Sequence, residues 1–178
     1  MNYLRYILFF ITIFIIAVSI SLYVFFDNNL LIRQWNIALA KPGFLDSRQF
    51  AWASESYAMG YDPLIENPVN PRGHQLNYPR IWHILFHLGI NESHTNIIGT
   101  IVVFLFFIGV GIYWFTNKFE NITYLLLLIF FLSPAVMLGI ERSNIELIIF
   151  FILSVALIID RYSRLISLSV VEFAGVLK

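Results

Sequence analysis

The chain has 178 residues, 59% of them hydrophobic and 12% charged, with a mean hydropathy of +0.78. That balance lies outside the soluble globular range and marks an integral membrane protein. Eleven Lys and Arg are matched by eleven Asp and Glu, so no basic surplus draws nucleic acid, and the absence of Cys excludes disulfides and thiolate metal sites.

The first apolar run, Ile7–Phe26, is broken only by Thr12, Ser19 and Ser21. At about 1.5 Å per residue it is long enough to cross ~30 Å of hydrocarbon. A signal peptide would carry a shorter apolar core, roughly 7–15 residues, and a small-residue cleavage site. This run instead continues into Leu22-Tyr23-Val24-Phe25-Phe26 and reads as a retained anchor.

Residues 27–96 form a long polar loop, an unusual investment for a membrane chain. Asp46-Ser47-Arg48-Gln49 opens a segment in which Phe50, Ala53, Tyr57 and Ala58 recur at helical spacing, with Gly60 as the stop. Asp46 suits the N-cap of that helix, with Gln49 at the capping-box position. It equally suits a carboxylate held at the membrane surface to take a proton from an acceptor hydroxyl. Tyr61-Asp62-Pro63-Leu64, Asn67-Pro68 and Asn70-Pro71-Arg72-Gly73 make a turn-rich passage, an ordered loop in which Asp62 forms a turn. Pro79 then suits the first position of a short helix with Ile81, Trp82, Leu85, Phe86 and Leu88 apolar. Too short to span, it is expected at the membrane interface, with Trp82 at headgroup depth and Arg80 available to lipid phosphate. His83 and His87 stand at i, i+4, the spacing of two helical zinc ligands. No third ligand or general-base Glu accompanies them, so no metal ligand is assigned and a divalent metal stays open as a cofactor.

Residues 97–115 and 122–140 are two further full-length spans joined by the short turn 116–121 as a helical hairpin. Pro134 after Ser133 is expected to kink or end the second of them. Residues 145–159 are a fourth run, and residues 165–178 begin a fifth that at about 21 Å falls short of a bilayer, as in a chain truncated in mid-helix. The fold expected is therefore all-α, about four transmembrane helices plus an incomplete fifth, in one domain over residues 1–178. With the amino terminus in the cytoplasm, Arg5, Lys118, Arg161 and Arg164 fall inside in short segments, where the positive-inside rule has force. The loop 27–96 then lies outside, and so does Glu141-Arg142-Ser143-Asn144-Ile145-Glu146. Glu146 sits just inside the fourth run; it reads either as an i, i+4 partner of Arg142 or as part of a polar cavity. Gly109 and Gly111, inside a span, read as helix-packing positions.

A long first outer loop with an Asp soon after the first span, Gly60-Tyr61-Asp62-Pro63, Asn77-Tyr78-Pro79-Arg80-Ile81-Trp82 and Ser133-Pro134 followed by Glu141-Arg142-Ser143-Asn144-Ile145-Glu146 resembles the GT-C superfamily of membrane glycosyltransferases. Within it the chain is most similar to the polyprenol-phosphate-mannose-dependent mannosyltransferase-like branch, as an amino-terminal part of such a protein. The resemblance implies a bacterial plasma-membrane enzyme with a polyprenyl-phosphate sugar donor, an acceptor glycan or lipid hydroxyl at the outer face, and a first-loop carboxylate as general base. Asp46 takes the role of base. Arg80, Glu141, Arg142, Asn144, Glu146 and Lys178 take substrate-binding roles, Lys178 near the lipid phosphate. Ser143 stands where a glycine is more usual, and Glu146 where an Asp is expected. No Gly-rich nucleotide-sugar fingerprint is present. The alternatives are a multi-pass transporter or lipid-flipping protein, or an inactive truncated membrane protein.

Overall fold

The computed structural model describes residues 3–178, and among them every regular element is helical. The α-helices are α1 (Tyr3–Phe26), α2 (Leu45–Ala58), α3 (Thr95–Thr116), α4 (Asn121–Phe131), α5 (Pro134–Arg142), α6 (Ile145–Ile159) and α7 (Arg164–Val176). Among the described residues two helices are long and apolar enough to cross a membrane, α1 and the run Glu92–Thr116; a third is added if α4 and α5 count as one bent span. Phe10, Phe14, Phe26, Ile97, Phe104, Leu126 and Ile129 stand exposed on their outer faces. Such a wide apolar exterior suits lipid better than water. At 15 and 13 residues, α6 and α7 measure about 22 and 20 Å.

The run 122–140 is not one straight helix. It breaks after Leu132, and α4 and α5 meet at 49°. Pro134 has no N–H to continue the ladder, and Ser133 restarts the helix by accepting from the Val136 N–H at 3.5 Å. A carbonyl freed at the break is taken up by the Trp35 indole, whose Nε1–H donates to Leu132 O at 2.5 Å. The break is thereby satisfied internally, as irregular backbone in an apolar environment must be.

The expected hairpin of the second and third spans is loosened. α3 packs most extensively on α6, and α4 packs on α1. The cause is Gly109: a Cβ there would lie 2.9 Å from Phe151 Cα, so the α3 and α6 backbones touch where no side chain intervenes. A Cβ at Gly111 would meet only the Phe9 ring, at an ordinary 3.5 Å. α3 and α4 still meet through side chains, Trp114 against Tyr124 and Phe106 against Phe131. Within α1 the buried hydroxyls bond back one turn, Thr12 to Leu8 O and Ser19 to Ile15 O.

The loop 27–96 is a small packed unit. Phe50 and Ala53 of α2 share a core with Leu76 and Phe86, and Tyr78 stacks on Phe50. The turn-rich passage is pinned to α2 by Asn67, whose Oδ1 accepts from Ser56 Oγ at 2.7 Å while its Nδ2 donates to His74 O. Residues Arg80–Leu88 form a short 3-10 helix with Pro79 at its N-cap, one position earlier than expected. Trp82 does not stand free on it: its indole donates to Leu177 O at 2.9 Å, tying the loop to the end of α7.

The bundle has two distinct ends. Trp114 Nε1 donates to Arg5 O, and Arg161 donates to Thr116 O, so the start of α1 and the ends of α3 and α6 lie together. Tyr23, Glu141, Asn144 and Lys178 meet at the other end, beside the start of α2. Arg5, Lys118, Arg161 and Arg164 therefore belong to elements that share one end, and Asp46 and residues 141–146 share the opposite one.

Candidate functional site

The polar end is assembled where α5 stops and α6 begins. Ser143 adopts the left-handed conformation, φ 55°, and turns the chain out of α5. Glycine enters that region at no cost, which accounts physically for a glycine being the natural residue at such a joint. Asn144 then caps α6, its Oδ1 accepting from the Glu146 N–H at 2.9 Å. Its Nδ2 points the other way and donates to Asp46 Oδ2 at 2.8 Å. One residue after Asp46 and one before Asn144, the Ser47 and Ser143 hydroxyls lie 2.8 Å apart. Two segments almost a hundred residues apart in sequence are thus zipped together.

Asp46 is not the N-cap. That position belongs to Phe44, in a left-handed conformation at φ 60°, and Asp46 lies inside the first turn with its carboxylate turned toward Asn144. It remains favourably placed beside the positive end of α2. Asp46 is 6% exposed. Burial lifts its carboxyl above the usual carboxylate range, against the pull of the Arg142 charge and the Asn144 hydrogen bond, and the Glu146 charge adds to the rise.

A groove of about 400 Å³ runs beside it; Asp46 does not itself line this groove but bonds Asn144, which does. Phe106, Phe130, Phe131, Val136 and Phe150 line its apolar length, and Arg142, Asn144 and Glu146 line its polar end. The bend between α4 and α5 shapes one wall. The Arg142 Nε is buried with no hydrogen-bond partner among the described residues. The whole is an amphipathic slot, long and greasy with one cation at its end.

Glu146 and Arg142 do not form the i, i+4 pair. A helix boundary at Ser143 and Asn144 separates them, and Glu146 instead pairs with Lys178 at 2.5 Å. Lys178 is thus brought to the polar end by α7, which runs back along α6.

Two expected site residues lie elsewhere. Arg80 is exposed and bonded to Asp62 Oδ2 at 2.7 Å, which holds the Asp62 carboxyl below its ordinary range. Asp62 also accepts from the Leu64 N–H, the turn role read from its proline neighbour. Glu141 is fully buried and does not line the groove: its Oε1 accepts from the Ala40 N–H at 2.8 Å and lies 3.1 Å from the Tyr23 hydroxyl. It faces the loop because it sits on the flank of α5 turned toward α1. His83 and His87 both pack against the Tyr57 ring, and among the described residues no group of three potential ligands forms around them.

Sequence reading missed Tyr23, Ser47 and the pairing of Asn144 with Asp46. A signal existed for the last. Ser143-Asn144 followed by Glu146 before an apolar run is a helix start, and it would have separated Arg142 from Glu146. Nothing local marks Tyr23 or Ser47.

No protein-family model matches the chain, and no curated protein or solved structure is significantly similar to it.

Proposed function

We propose that the protein is an inverting glycosyltransferase that moves a sugar, mannose in the simplest case, from a polyprenyl-phosphate donor to an acceptor hydroxyl at the outer membrane face. In this reading α6 and α7 join the longer helices within the membrane, the amino terminus is cytoplasmic, and α2 lies outside a bacterial plasma membrane. The observation that carries it is the amphipathic groove with Arg142 at its polar end, one hydrogen bond, through Asn144, from a buried carboxylate. A prenyl chain fits the apolar length, and the donor phosphate finds in Arg142 a guanidinium whose Nε lacks a partner among the described residues. The acceptor oxygen attacks the anomeric carbon as the bond to phosphate oxygen breaks. Its proton passes to Asp46, and polyprenyl phosphate leaves with the bonding electrons. A carboxylate whose proton affinity is raised by burial is the stronger base for that step.

The test is Asp46→Asn in membranes supplied with polyprenyl-phosphate mannose and acceptor lipid. Loss of transfer with unchanged membrane insertion supports the assignment; retained transfer defeats it. The break beside the groove favours a second reading, a transporter or lipid-flipping protein, because broken helices recur at transport sites. In the same assay that protein would move the lipid across the membrane without consuming it.

A further inference from the structure

We infer that Glu141 is a positioning residue: it clamps the segment Ala40–Phe44 to the end of α5 and so sets the place of Asp46 against Asn144 and Arg142. The role rests on Asp46 being the base proposed above, while the clamp itself is a matter of packing that can be tested without any reaction.

Three contacts from one residue hold the segment. The Glu141 carboxylate accepts from the Ala40 N–H at 2.8 Å and shares the Tyr23 hydroxyl, which also bonds Ala40 O. The Glu141 main-chain carbonyl accepts from the Phe44 N–H at 2.9 Å. From the opposite side Arg48 donates to Gly43 O at 2.8 Å. Phe44 needs such holding. It is a bulky residue at φ 60°, where L side chains crowd their own backbone, and its ring lies so close to Gly99 that a Cβ there would come within 2.2 Å. Asp46 follows two residues later, so displacement of Phe44 carries directly into the carboxylate.

The same geometry argues against direct substrate contact. Glu141 is 0% exposed and its carboxylate bonds Ala40 and Tyr23, neither of which lines the groove, whereas Arg142 lines it and Asp46 reaches it through Asn144. Adjacent residues on one helix end thus have separate tasks: one faces the ligand slot, the other fixes the segment that carries the base.

The serine pair supplies the ruler. With Ser47 and Ser143 hydroxyls 2.8 Å apart and no Cys in the chain, a S47C/S143C protein forms a disulfide on oxidation only when the start of α2 stays docked on the α5–α6 joint. Adding Glu141→Ala is expected to slow disulfide formation about tenfold, the factor carried by one net hydrogen bond. Glu141→Gln keeps the acceptor oxygen for Ala40 and should restore the rate. An unchanged rate in Glu141→Ala overturns the clamp. If that variant fails to accumulate, Tyr23→Phe is read in its place by the same criterion. With the native serines, Glu141→Ala should lower kcat for sugar transfer about 100-fold with donor KM held within about twofold. A raised KM at unchanged kcat would instead make Glu141 a substrate ligand and overturn the role. If the native protein transfers no sugar while disulfide formation still depends on Glu141, the clamp stands and only the transferase reading falls.

Discussion

The two ends of the bundle solve the same problem in different ways. At the end holding Arg5 and Trp114, polar side chains satisfy main-chain carbonyls: Trp114 bonds Arg5 O, Arg161 bonds Thr116 O and Asn117 bonds Tyr113 O. Arg161 follows the C-terminus of α6, and the Arg5 guanidinium lies 4.7 Å from the Tyr6 centroid. These are the ordinary ways to finish a helix. At the other end side chains also bond side chains across distant segments, Asp46 to Asn144, Ser47 to Ser143 and Glu146 to Lys178, and two carboxylates are withdrawn from solvent. Burying carboxylates costs free energy that capping does not require. The contrast separates an end built to terminate helices from an end built to hold charge in place.

The comparison breaks first, and most severely, at Asp46. Asp46→Asn should lower sugar transfer by about 10²–10⁴-fold, the usual contribution of a general base. It should not lower stability at neutral pH. The folded-state pKa of Asp46 is raised, so its contribution to stability is present below the unfolded pKa and lost as pH rises through the folded one. The variant should therefore melt no lower than the parent at pH 7, and the difference should shrink in acid; thermal denaturation in detergent at several pH values measures it. Activity of the parent should fall as pH drops through a point above the ordinary carboxylate range. Arg142→Gln comes next, with transfer reduced about 100-fold through loss of charge stabilisation at the donor phosphate. A transfer assay over a donor concentration series reads that loss.

Away from both ends, Gly109→Leu should destabilise the bundle by about 1–3 kcal/mol, because α6 backbone rather than a flexible side chain stands in the way. The melting temperature in detergent reports it. The smallest effect is expected at the capping end, where Arg161→Ala removes one exposed hydrogen bond to Thr116 O. It should cost no more than about 1 kcal/mol and leave transfer unchanged. A large activity loss there would erase the distinction between the ends.

Much of the framework was legible along the chain. The run Ile7–Phe26 and the run 97–115 correspond to α1 and α3, because hydrocarbon thickness alone demands such lengths. Pro134 announced the break between α4 and α5 because its missing N–H acts locally. Asp46 was legible as a residue of interest but misplaced as a cap, since capping depends on the conformation of Phe44, which is set by Glu141 from far along the chain. Glu141, Arg142, Asn144 and Glu146 read as one polar patch, yet they divide: Glu141 turns to the loop, Arg142 to the groove, Asn144 to Asp46 and Glu146 to Lys178.

Sequence by itself determined that the chain is helical and apolar enough for a membrane, where its longest helices run and where one must bend, because length, hydropathy and proline act through nearest neighbours and a uniform solvent. Only the tertiary structure decided which polar groups meet. Partners such as Asp46 and Asn144 lie on segments whose approach depends on a glycine contact between α3 and α6, a left-handed Phe44 and the direction in which each helix end faces. Hydrogen bonds reach only about 3 Å, and no pattern within a single segment encodes that approach.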